Sequence, residues 1–136
     1  VRKRNGKDYA WCAVKAAIGI AFGAVMIWNQ SIETPAAWKP AGEFKLTYFC
    51  PCRKCNGKWT GQPTASGAEL EPGVTIAVDK KVIPLGTKVR IGEHEFIAQD
   101  TGSGIKGHRI DILLDDHEAC RQAGVQKSEV YVWEDE

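Results

Sequence analysis

Three aspartates in this 136-residue chain close or interrupt apolar, strand-like runs: Asp79 in TIAVDKK, Asp100 in FIAQDTG and Asp111 in RIDIL. A carboxylate on a buried strand loses its hydration, so it needs a hydrogen-bond partner or a cleft. Asp111 carries this argument furthest, because Ile110, Ile112 and Leu113 surround it. Desolvation raises the pKa of such a group, and a second carboxylate nearby pushes the two values apart. Proton transfer to a glycosidic oxygen requires that arrangement. Gly102, Gly104 and Gly107 lie between Asp100 and Asp111 and let the intervening loop pass close to a sugar chain. The plain alternative is that a lone strand-end aspartate caps a turn and the glycines merely form one.

The second reactive group is sulfur. Of the five cysteines, Cys50, Cys52 and Cys55 crowd into CPCRKC, with Cys12 and Cys120 far from them in sequence. Two readings stay open. Two cluster cysteines pair, or one pairs with Cys120, as an oxidising exterior would permit, or they stay free thiols. Otherwise Cys50, Cys52, Cys55 and Cys120 hold a structural zinc, for which the Cys52–Cys55 spacing is usual. No cofactor is otherwise required. Cysteine nucleophilic catalysis is not expected, because no spacing pairs His94, His108 or His117 with a cysteine.

These groups need elements to position them. FKLTYF (44–49), VTIAVD (74–79), TKVRI (87–91), HEFIAQD (94–100), HRIDILL (108–114) and SEVYVW (128–133) alternate or run apolar and read as strands. Gly92 and Glu93 predict a tight hairpin, and PLGT a turn. DDHEACRQAG predicts one helix, capped by Asp115 or Asp116 and ended by Gly124. Six short strands and one short helix predict a mainly β fold, a small closed barrel without edge strands.

Composition is that of a globular domain, with 43% hydrophobic and 26% charged residues. The net charge of +1 gives no ground for a nucleic-acid partner. Charge is concentrated at the start: Arg2, Lys3, Arg4 and Lys7 precede the uncharged run AAIGIAFGAVMIW. That pattern predicts a signal sequence or transmembrane anchor over 1–28, which would direct the remainder of the chain out of the cytoplasm, either anchored to the membrane or secreted. Residues 29–42, with two prolines and no period, read as a linker, and 43–136 as the barrel domain.

TIAVDKKVIPLGTKVRI, FIAQDTGSGIKGHRIDIL and the preceding GQPTASG together resemble the three-aspartate (3D) domain. That domain occurs in cell-wall-active proteins of Gram-positive bacteria and in the C-terminal region of MltA-type lytic transglycosylases. It is related more distantly to rare-lipoprotein-A-like and expansin-type barrels. The resemblance covers roughly 45–133 and implies a six-stranded double-psi β-barrel with a glycan groove, acting on peptidoglycan. Asp79, Asp100 and Asp111 match the namesake aspartates. By that match Asp111 is the acid/base residue, Asp100 its partner carboxylate, and Asp79 an aspartate holding the loop after it. Tyr48, Thr64 and Gly67 match groove-lining positions, and Lys106 the lysine of the IKG motif. Ser103 departs from the glycine usual after DTG. The FCPCRKCNG insertion, absent from the simplest members, resembles a cysteine-bearing version and is expected to clamp one groove wall.

The implied activity is non-hydrolytic cleavage of the β-1,4 bond between N-acetylmuramic acid and N-acetylglucosamine, with a 1,6-anhydro-muramyl product. The alternatives are a non-catalytic peptidoglycan-binding or wall-loosening module and a muramidase-type hydrolase.

Overall fold

Alternation in FKLTYF sends Phe44 and Leu46 to one face and Lys45 and Thr47 to the other. In the computed structural model, which describes residues 37–134, that division separates barrel interior from exterior: Phe44 and Leu46 are buried, Lys45 exposed and Thr47 half-buried. Six strands build the fold: β1 (Trp38–Phe49), β2 (Thr75–Val78), β3 (Lys88–Ile91), β4 (His94–Asp100), β5 (Arg109–Leu113) and β6 (Gln126–Trp133), of which β2 is buried along its whole length. Hydrogen bonding closes them into a barrel in the order β1-β5-β2-β4-β3-β6. The β1–β5 and β2–β4 pairs are parallel; the other four are antiparallel. Closure gives each of these strands a neighbour on both sides.

The interior is filled by large apolar side chains, among them Phe44, Phe96, Ile76, Ile110, Ile112 and Val130, each at most 1% exposed. Truncating one of the phenylalanines to alanine would cost about 3–5 kcal/mol. The β3–β4 hairpin turns at Gly92 and Glu93, with Gly92 at φ +60°, where glycine is favoured.

The predicted helix is α2 (His117–Ala123). Asp116 is its N-cap, its carboxylate accepting from the Ala119 N–H at 3.0 Å, and Gly124 ends it at φ +62°. Cys120 and Ala123 form its buried face, and it packs against β1. Two short helical turns join it in the cysteine segment: α1 (Arg53–Asn56) and a 3-10 turn (Gly57–Trp59). They carry no apolar periodicity and so left no helical pattern in the sequence.

One boundary differs from the sequence reading. Trp38–Gly42, assigned there to the linker 29–42, form the first part of β1. Trp38 is buried, its ring meeting Trp133 edge-on at 5.2 Å, with the Arg90 guanidinium 4.2 Å over it. Pro40 sits beside a register shift between Pro40 and Gly42, where a missing N–H is tolerated. Pro40, which read as linker, therefore marks a bulge. The signal or anchor expected over 1–28 lies outside the described residues. Among the described residues no helix is long and apolar enough to cross a membrane.

Candidate active site

Asp111 and Asp100 are brought together by the sheet. On β2, Ala77 is the register partner of Asp111 on β5 and of Asp100 on β4. Thr47 on β1 is the partner of Asp111 on its other side. Thr47, Asp111, Ala77 and Asp100 thus form one row across four adjacent strands. Register partners point to the same face. With strands about 4.8 Å apart, the two aspartate Cα atoms lie about 10 Å from each other across a methyl group.

A bulge creates that row. Ile76 pairs with Ala98, but Ala77 pairs with Asp100, so Gln99 is the extra residue. Without it Asp100 would move along the strand by one position and face the other way. Gln99 is kept in place by its Oε1, which accepts from the Thr75 hydroxyl at 2.6 Å.

Asp111 is half-buried. Desolvation pushes its carboxyl pKa up. The Thr47 hydroxyl opposes this by donating to its Oδ1 at 3.0 Å, as does the Arg109 charge, while the Asp100 charge adds to the rise. The group therefore holds its proton to higher pH than a free aspartate.

Asp100 is fixed by main chain. Its Oδ1 accepts from Ala65 N at 3.0 Å and from its neighbour Thr101 N at 2.9 Å. The TASG turn supplies Ala65. Thr64 is buried and bonds Ser66 at 3.0 Å and the Ala68 carbonyl at 2.9 Å, and Gly67 takes φ +84°. Asp79 ties two loops together: Oδ1 accepts from Lys81 N at 3.0 Å and Oδ2 from Gly107 N at 2.9 Å. Those bonds, first that from Gly107, depress its pKa. Gly102 is required for space, because a Cβ there would lie 2.9 Å from Ile105 Cγ1.

A cleft of about 720 Å³ opens over Asp111, Ala77 and Asp100. Asp79, Asp100, Lys106 and Asp111 line it, and so do Ala65, Ala77, Phe49 and Trp59. Tyr48, Thr64 and Gly67 are not on its wall. Tyr48 packs against the barrel core, since strand alternation gives the cleft to Phe49 instead. Thr64 and Gly67 act one step back, shaping the turn that holds Asp100. Thr47 went unnoticed in the sequence because only the β1–β5 register sets it beside Asp111. Trp59 went unnoticed because the segment that carries it has no strand or helix pattern.

The cysteine segment forms a second cluster. His117 Nδ1 lies 3.8, 3.5 and 3.4 Å from the sulfurs of Cys50, Cys52 and Cys55, and the Cys50 and Cys55 sulfurs are 3.6 Å apart. All four cysteines of the barrel domain are free thiols. The cluster that could hold a metal is therefore Cys50, Cys52, Cys55 and His117. Its fourth member corrects the expected Cys120, which is buried on the inner face of α2 while His117 opens that helix toward the sulfurs.

Comparison with known proteins gives relatives on part of this chain. Among solved structures, MltA from Escherichia coli superposes with a TM-score of 0.48 at 26% identity, covering 54% of this chain and 28% of that one. LtgG, a lytic transglycosylase of Burkholderia pseudomallei, gives a TM-score of 0.44 at 32% identity, over 53% and 26%. In Bacillus subtilis (strain 168), YabE is 38% identical over 90 residues, covering 63% of this chain and 18% of its own length. The cell wall-binding protein YocH of the same organism is 41% identical over 92 residues, 65% of this chain and 32% of its own. The chain thus spans between about a fifth and a third of the length of these curated relatives. The family model of the 3D domain matches residues 74–134, the stretch that carries Asp79, Asp100 and Asp111.

Proposed function

We propose that this chain is a double-psi barrel that cleaves peptidoglycan as a lytic transglycosylase, outside the cytoplasm, in cell-wall turnover. The observation that carries the reading is the Thr47–Asp111–Ala77–Asp100 row, whose Asp111, Ala77 and Asp100 line a cleft, with the Asp111 pKa raised by desolvation. It is supported by the 3D domain match over the three aspartates and by the likeness to a cell wall-binding protein.

In this mechanism protonated Asp111 donates to the glycosidic oxygen between N-acetylmuramic acid and N-acetylglucosamine. The C1–O bond breaks and positive charge develops on the sugar ring. Asp100, held by two main-chain N–H groups, faces that charge across Ala77. Ionised Asp111 then takes the proton of the muramyl C6 hydroxyl, whose oxygen closes onto C1. The 1,6-anhydro ring forms without water, and one carboxyl serves as acid and then as base. Thr47 stabilises the ionised form between these steps. Lys106, exposed on the cleft wall, would meet an acidic or acetamido group of the glycan.

The name of YocH favours a second reading, a wall-binding module that does not cut. Mass spectrometry of purified peptidoglycan incubated with the full chain separates the readings. Anhydro-muramyl products support the transglycosylase. Reducing-end products alone mean a muramidase, and retention on peptidoglycan without release means a binding module.

A further inference from the structure

We propose that Cys50, Cys52, Cys55 and His117 form a closed structural zinc site that fixes the segment 51–62 as one wall of the cleft. A tetrahedral zinc with Zn–S near 2.3 Å and Zn–N near 2.05 Å separates two sulfurs by about 3.8 Å and a sulfur from a nitrogen by about 3.6 Å. The cluster has 3.6 Å between the Cys50 and Cys55 sulfurs and 3.4–3.8 Å from the three sulfurs to His117 Nδ1. Three sulfurs converging on one ring nitrogen is a ligand geometry. Disulfide pairing would use two of the sulfurs and leave the third and the histidine without a role. Three thiolates and one histidine are among the usual structural zinc donor sets, and four protein ligands leave no open position for a substrate.

The packing of the segment supplies an independent reason. Neither α1 nor the 3-10 turn has a buried residue. Between Cys50 and Thr64 only Cys52 and Asn56 are even half-buried. Hydrophobic burial therefore does not hold this segment, yet it presents Cys55, Asn56 and Trp59 to the cleft that Asp100 and Asp111 also line. Its internal bonds are local: Asn56 Nδ2 donates to the Cys50 carbonyl at 2.5 Å, and Asn56 N to the Cys52 carbonyl at 3.0 Å. His117 is the one member of the cluster from a distant element, at the start of α2, which itself packs on β1. A metal there ties the segment to the barrel. The cleft-wall part of the inference rests on the proposed glycan site; the zinc site does not.

The test uses the purified full chain. Elemental analysis should give about one zinc per chain, and cobalt in its place should show the visible absorption of a tetrahedral thiolate site. Cys55→Ser and His117→Ala should each lower zinc content, whereas Cys120→Ser should keep it. Chelation should speed tryptic cleavage after Arg53, Lys54 and Lys58, which the metal-bound segment protects. Zinc at background level in the wild type, with no cobalt spectrum, overturns the proposal even if the variants fail to fold. Loss of metal in Cys120→Ser as complete as in His117→Ala overturns the ligand set. Tryptic rates unchanged by chelation overturn the clamp. Zinc binding without any glycan binding would leave the zinc site standing and remove the glycan reading instead.

Discussion

Thr47→Val tests the site through one hydrogen bond. The Thr47 hydroxyl donates to Asp111 Oδ1 at 3.0 Å and so favours the ionised carboxylate. Valine keeps the β-branched shape that suits β1 and removes the donor. A hydrogen bond to a charged group contributes about 1.5–3 kcal/mol. Asp111 is only half-buried, so water replaces part of the loss, leaving about 1 kcal/mol, or roughly a five-fold rise in its affinity for a proton. The methyl group that replaces the hydroxyl adds desolvation of the same sign. NMR titration of the Asp111 side-chain carbonyl in wild type and variant reads this directly. The midpoint should move to higher pH, and the alkaline limb of any peptidoglycan-cleaving activity should move with it. Asp100→Asn is the counter-test: it removes the like charge that raises the Asp111 pKa, so the midpoint should move to lower pH. A midpoint that stays put or falls in Thr47→Val would refute the row as the device that tunes Asp111.

Asp111→Asn should abolish product release while raising the melting temperature at neutral pH. Because the folded pKa of Asp111 is raised, its contribution to stability is fully present below the unfolded value and is lost as pH rises through the folded one. The gain from asparagine should therefore shrink on acidification, and a gain that grew would contradict the raised pKa. Asp79 has the opposite sign: its depressed pKa contributes stability above the unfolded value that is lost as pH falls through the folded one. Asp79→Ala should accelerate amide exchange at Gly107 and Lys81 at neutral pH, and unchanged protection there would remove its role as a loop tie. Trp59, 65% exposed on the cleft wall with the Lys58 ammonium 4.9 Å from its ring centre, presents an open aromatic face. Trp59→Ala should weaken peptidoglycan-fragment binding by about 1 kcal/mol, roughly five-fold, in calorimetry. Equal affinity would exclude it from the glycan surface.

The strands, the hairpin and α2 were legible in the sequence because each is set locally. Period-two alternation fixes which residues of β1 face inward, and an aspartate and a glycine fix where α2 starts and stops. The desolvation of Asp111 was legible for the same reason, since apolar neighbours flank its carboxyl on both sides. Trp38–Gly42 were misassigned because prolines look alike in a linker and at a bulge until the partner strand is known.

What the tertiary structure decided depends on which strands become neighbours. Parallel pairing of β1 with β5 and of β2 with β4 joins segments distant in sequence, and only that register sets Thr47 and Ala77 beside Asp111. The extra residue Gln99 aims Asp100 into the same row, and a bulge leaves no trace in composition. His117 lies 62 positions from Cys55, so no spacing rule could pair them; the docking of α2 on β1 brings its first residue to the three sulfurs. The sequence by itself determined which groups could do chemistry, through local burial and charge. The closed barrel determined which of them meet, because meeting is a property of register and packing between elements.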